Sequence, residues 1–169
     1  MSAPFLDDAF EHHAWATRLL IDACCELPED QVNEPVPGTY GTIFSTLSHL
    51  VGGDSFYLSL LSDYANPESD PSTFEHVREQ AAANAVQWAH VLARVGDPSE
   101  VVRDEDDFGY QRDASVGLRL AQALHHGNEH RAQVCTALTV VGVTPPETSV
   151  WDYGLASGRM VETQSSSHG

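Results

Sequence analysis

An all-α fold, a four-helix bundle, is what this sequence predicts, and three observations predict it. Four segments of about 20–29 residues carry apolar side chains at helical spacing. Proline and glycine clusters punctuate the chain between them. The length, 169 residues, is that of one domain and is enough to bury a core without disulfides.

The first helix is predicted over residues 4–27. Leu6, Phe10, His13, Leu20, Cys24 and Leu27 fall on one side of it, and Pro28 stops it. Pro28, Pro35, Pro37 and Gly38 mark a loop over 28–40. The second helix, over 41–63, has two stripes. Ile43, Phe44, Leu47, Leu50, Val51, Leu58 and Leu61 form one; His49, Gly52, Gly53, Phe56 and Leu60 form the other. Two stripes imply more than one neighbour. Each of the paired glycines costs up to ~1 kcal/mol relative to alanine in a helix, so something is expected to approach closely there.

Residues 64–72 are a polar turn. Thr73 or Ser72 caps a third helix over 73–95, with Phe74, Val77, Ala81, Trp88, Ala89, Leu92 and Val95 inward, and Gly96-Asp97-Pro98 ends it. The acidic stretch 97–113 fits a short hairpin or an extended crossover. It is long enough to cross the end of the bundle, so simple up-down connectivity is not assured. The fourth helix is predicted over 114–142, ending at Gly142 with Pro145 and Pro146 beyond. The tail from 147 holds Trp151 and Tyr153. The bundle domain is assigned to residues 1–155, and 156–169 is expected to be a disordered tail.

Formal net charge is −17, from 25 acidic residues against 8 basic ones, all arginine. Such a chain repels nucleic-acid phosphates and anionic membranes. No apolar run is long enough for a membrane span, and the first residues read as no signal peptide. A cytoplasmic protein acting on a small molecule is the expectation. Cys24, Cys25 and Cys135 form no C-x-x-C pair and read as small buried hydrophobes.

The chain has nine histidines. In the fourth helix His126 and His130 are four apart, which puts two imidazoles on one face, one turn apart. On the helical wheel they lie at the shoulder of an apolar arc centred on Leu120, Leu124, Gly127, Val134 and Leu138, whereas His125 lies opposite. Two ligands leave a site incomplete; catalytic zinc takes three, with an open position. His49, beside Gly52 and Gly53, is the best third candidate, and His13 on the first helix is the next. His12, His76, His90, His125 and His168 read as surface residues. No HExxH sequence, no paired ExxH motifs and no cysteine cluster are present, which leaves a mononuclear histidine-rich site. Three imidazoles suit Zn, Ni, Fe or Cu, and Zn or Ni is expected.

Three stretches carry a family resemblance: His12-His-Ala-Trp-Ala-Thr-Arg-Leu-Leu20, Leu47-Ser-His-Leu-Val-Gly-Gly-Asp-Ser-Phe-Tyr57, and His126-Gly-Asn-Glu-His-Arg-Ala-Gln133. In order and spacing, over roughly residues 5–153, the chain resembles the DinB (DinB/YfiT-like) family. The last box commonly ends Arg-Gly-Gln there; here it is Arg131-Ala132-Gln133. The resemblance implies a down-up-up-down bundle, into which the long third connection fits. It implies a metal site that falls on His49, His126 and His130, and a homodimer. Relatives include S-transferases that use a low-molecular-weight thiol, so it also implies a thiol as co-substrate.

Three functions follow. A metal-dependent transferase would use the ion to deprotonate a small thiol, which attacks an electrophile. A metal-assisted hydrolase would activate water instead, with Asp54 or Glu129 as candidate bases. A non-catalytic, stress-related binding or scavenging module would only bind. Arg131 lies in the apolar arc and reads first as a partner in a buried ion pair, then as a substrate contact. Tyr57 and Trp15 are candidates to line a pocket.

Overall fold

The computed structural model describes residues 4–67, 71–105 and 108–163. Four long helices run over α1 (Pro4–Cys25), α3 (Ile43–Leu61), α4 (Phe74–Arg94) and α5 (Val116–Val140). Their starts are set by side chains that satisfy the otherwise orphaned first N–H groups. Thr42 accepts from Ser45 N while the Ser45 hydroxyl accepts from Thr42 N, a capping box. Thr73, rather than Ser72, caps α4 by accepting from His76 N. Ser115 caps α5 through Leu118 N.

Two short helices go beyond the sequence expectation. α2 (Glu29–Val32) sits in the predicted loop, where Val32 and Val36 are buried. α6 (Val150–Ala156) forms in the predicted tail and packs on α1. Tyr153 is buried there, and its hydroxyl donates to Glu11 Oε2 at 2.6 Å. Trp151, the other aromatic residue of that segment, is 72% exposed. Arg159 reaches back to ion pairs with Asp8 and Glu11. The end of the expected tail, residues 164–169 with His168, lies outside the described residues.

The acidic connection is a hairpin: β1 (Val101–Glu105) pairs antiparallel with β2 (Gln111–Ser115), Val101 opposite Ser115 and Glu105 opposite Gln111. It is pinned to α5 by Arg119, which is 7% exposed and donates to Asp104 Oδ1 at 2.6 Å and to the Val102 carbonyl at 2.8 Å.

The long helices pack in a ring, α1 on α4, α4 on α3, α3 on α5 and α5 on α1. Helices consecutive in sequence therefore face each other diagonally at two of the three connections. Their shared core has two apolar clusters. One gathers Leu20, Ile21 and Cys24 of α1, Ile43, Leu47, Leu50 and Val51 of α3, Val77 of α4, and Val134, Ala137 and Leu138 of α5. The other gathers Phe10, Leu58, Trp88, Val91, Leu92, Val116, Leu120 and Ala123. α1 and α5 pass from the second cluster to the first; α3 and α4 pass from the first to the second. The inward face predicted for α4 holds except at Ala89, which is exposed. On the second stripe of α3, Phe56 is 38% exposed and Leu60 half-buried, so that stripe is less a core face than a partly open one. Among the described residues, no helix is long and apolar enough to cross a membrane.

Replacing Asp104 with alanine would leave the buried Arg119 guanidinium without its carboxylate, a change that costs about 3 kcal/mol. Urea unfolding should show a loss of that order for Asp104→Ala. Asp113→Ala, which breaks an exposed pair with Arg103, should leave the midpoint nearly unchanged.

Candidate metal centre

Between the two apolar clusters every long helix turns polar at the same level. His13 and Thr17 of α1, Asp54 and Ser55 of α3, Asn84 of α4, and His130 and Arg131 of α5 are all buried there. A buried polar group is tolerated when it is hydrogen-bonded, and this layer is knitted accordingly. Asn84 donates to the Val51 carbonyl at 2.9 Å and accepts from Ser55, Tyr64 and Gln80.

At one side of this layer α3 and α5 bring His49, His126 and His130 together. One nitrogen from each ring lies within 4.8 Å of the others, and no other such group occurs among the described residues. The Nε2 atoms of His49 and His126 are 3.2 Å apart. Two ligands of a tetrahedral zinc, each about 2.0–2.1 Å from the ion, stand about 3.3 Å apart, so this pair already has the separation one ion needs. His130 Nδ1 is 3.0 Å from Gln133 Oε1. That oxygen also accepts from the Tyr40 backbone N–H at 3.0 Å, which identifies it as the amide carbonyl. His130 therefore carries its proton on Nδ1 and leaves the Nε2 lone pair for a ligand. Burial, with His130 and His49 adding to it, lowers the His126 pKa to about 4, so at neutral pH that ring also keeps a lone pair.

Three imidazoles with converging nitrogens fit a borderline divalent ion. Tyr40 stacks on His49, ring centroids 3.9 Å apart, and meets His130 edge-on at 5.5 Å. Tyr57 meets His126 edge-on at 5.8 Å. A cavity of about 110 Å³ beside His49 is lined by Gly52, Gly53, Ser55, Asn66 and Gln80.

The glycine pair now has its reason. A Cβ on Gly53 would lie 2.4 Å from His126 Cε1, so the ring rests where a side chain would be. Gly127 does the same for His13: its Cβ would lie 2.1 Å from His13 Cε1. His13, the second candidate for the third ligand, lies outside the cluster. It is 1% exposed, its Nε2 2.7 Å from Asp54 Oδ2 and its Nδ1 2.8 Å from Arg131 Nη1. Arg131 also donates to Thr17 Oγ1. Burial lowers the Arg131 pKa to about 10, with Asp54 opposing the shift, so it stays a cation at neutral pH. From sequence, Arg131 is expected to pair with a buried carboxylate; instead its guanidinium meets His13 and Thr17, and Asp54 is reached only through the His13 ring.

Other residues named from sequence fall as follows. Asp54 is 5% exposed and bonded to His13; Glu129 is exposed, as is His125 one turn earlier. His76 and His90 are exposed, but His12 is half-buried, its Nε2 2.8 Å from the Thr148 carbonyl. Trp15 packs with Tyr153 and His12 near α6, while Tyr57 borders the cluster. The cysteines are free. Burial pushes the Cys24 thiol up to about 12 and raises the other two, so they behave as small apolar residues. Tyr40 is the site residue that periodicity misses, because it stands in a loop; the nearby Gly38 and Gly41, both at positive φ, are its one local signal.

On helix propensity alone, alanine at Gly53 or Gly127 would stabilise by about 1 kcal/mol. The crowding reverses the sign: each substitution should cost about 1–3 kcal/mol in chemical denaturation. Gly53→Ala should in addition weaken Zn²⁺ binding in a chelator competition, because it displaces His126.

Comparison with known proteins agrees with this fold. A DinB-like protein from Bacillus cereus superposes with a TM-score of 0.64 at 15% identity, over 86% of this chain and 97% of that one; at that identity the likeness speaks for the fold alone. No curated protein matches. The DinB family model matches residues 1–160, and the chain belongs to the DinB family.

Proposed function

We propose that His49, His126 and His130 hold one divalent ion, and that the protein is a metal-dependent transferase that activates a low-molecular-weight thiol toward a small electrophile. The observation that carries this reading is the convergence of three imidazole nitrogens within 4.8 Å, with one lone pair aimed by Gln133. We assign Zn or Ni, since borderline ions suit imidazole. The chemistry an ion held by these three residues would supply is a lowered pKa for a thiol bound to it. The converging group contains no carboxylate, which suits a thiol nucleophile better than a water that needs a general base. Tyr40 covers one face of His49, leaving the side of the small cavity for the incoming molecule. Transfer forms a sulfur–carbon bond as the leaving group departs with its electron pair, and the thiol proton passes to solvent.

The finer architecture belongs to the same reading. The connectivity is down-up-up-down, supported by the order in which the helices pass the two apolar clusters. The functional unit is residues 1–155. It acts in the cytoplasm on a small molecule, without nucleic acid or membrane, as a homodimer. Exposed Val86, Trp151 and Leu155 are apolar surface that a second copy would cover.

Elemental analysis of untagged protein should find about one Zn or Ni per chain, lost in His126→Ala. The loaded protein, given small thiols and an electrophile, should form thioether only when both are present. Untagged protein that stays metal-free after incubation with Zn, Ni and Fe would sink the reading. Turnover without thiol would mark a hydrolase, and saturable binding without product a scavenging module.

A further inference from the structure

We infer that Asp54 is a positioning residue for His126, and that Arg131, His13 and Asp54 form a polarised hydrogen-bond chain that keeps the His126 proton on Nδ1 and its Nε2 lone pair on the ion. The inference rests on the metal-centre reading above. It starts from two buried atoms that lack hydrogen-bond partners among the described residues: Asp54 Oδ1 and His126 Nδ1. They are complementary. The carboxylate oxygen can only accept, and a ring that ligates through Nε2 must carry its proton on Nδ1 and needs an acceptor for it. The His126 ring lies against Gly53, the residue before Asp54.

The polarity of the chain is fixed from its far end. Arginine has five donors and no acceptor. Arg131 Nη1 therefore donates to His13 Nδ1, the His13 proton sits on Nε2, and Nε2–H donates to Asp54 Oδ2. Asp54 Oδ1 and His126 Nδ1 stand beyond hydrogen-bond distance of each other in this structure, each without a partner among the described residues; with the ion on Nε2, Oδ1 is the acceptor that the chain supplies to Nδ1–H. Asparagine at this position has the same shape but one oxygen fewer. That oxygen must face His13, so the amide NH₂ faces His126 Nδ1. The ring can then only accept at Nδ1, and its proton moves to Nε2, the ligating atom. Alanine leaves room for a water, which can accept from Nδ1–H.

The test is Zn²⁺ affinity of the full chain, by competition with a chromophoric chelator. Asp54→Asn should bind about 10–100-fold more weakly than the parent and at least as weakly as Asp54→Ala. In a His126→Ala background, the same Asp54→Asn change should matter by less than about twofold, because the ring it acts through is gone. A role confined to folding predicts the opposite pattern: lower melting of the metal-free variants, Asp54→Ala worse than Asp54→Asn, and an equal loss in both backgrounds. Any of these affinity patterns, or Asp54→Asn binding within twofold of the parent, overturns the inference while the metal centre stands. A parent that binds no Zn²⁺ overturns both. Nitrogen NMR of the Zn²⁺-loaded histidines should find the His126 proton on Nδ1; finding it on Nε2 would also overturn the chain.

Discussion

Burying an arginine in the middle of a helical bundle dictates what must surround it. Arg131 is 5% exposed and can only donate. It takes Thr17 and His13 from α1 as acceptors, and His13 takes Asp54 from α3. Three of the four long helices are thereby tied at one level, with positive and negative charges at the two ends of a neutral ring. Removing one member leaves a buried charge unpaired, which costs several kcal/mol in a fold whose whole stability is of order 5–15 kcal/mol. The packing conforms to this chain: Gly127 has no side chain because His13 lies there.

A bundle could fill the same volume with leucine at no loss of stability, and often with a gain. What the polar layer adds is direction. Apolar packing fixes where a side chain sits but not which atom of a ring carries a proton. Hydrogen bonds with one-way partners fix both. The apolar clusters above and below supply the driving force for folding, and the layer between them spends part of it on orienting imidazoles. Gln133 does for His130 at the rim, with help from the Tyr40 backbone, what the buried chain does within the layer.

Much of this was legible from the sequence, and the reasons differ residue by residue. The long helices were readable because each carries an apolar stripe, and their ends because threonine, serine, proline and glycine stand where caps and stops are needed. His126 and His130 were readable because spacing on a helix is geometry. The glycine pair announced a close approach without saying to what. The short helices were not readable: α2 has four residues and α6 seven, too few for periodicity to register, and both depend on packing. Tyr40 was missed because a loop has no period. Asp54 and His13 appeared in the reading as a candidate base and a candidate ligand. Their true relation, a hydrogen bond between residues 41 apart in sequence, exists only once α1 and α3 are brought to the same level.

The cluster faces two environments, and this separates its geometry from its chemistry. On the inner side, His126 meets a layer that is buried, charged and over-determined, where a substitution disturbs several partners at once. On the outer side, His49 meets Tyr40, which is 52% exposed, and a small cavity bordered by Asn66 and Gln80. Residues there hold no buried charge and can change without unbalancing the bundle. Loops on a rigid scaffold are where specificity is commonly set. The loop that carries Tyr40 and the turn that carries Asn66 therefore border the open side of the histidine cluster, while the layer behind His126 belongs to the buried frame of the bundle.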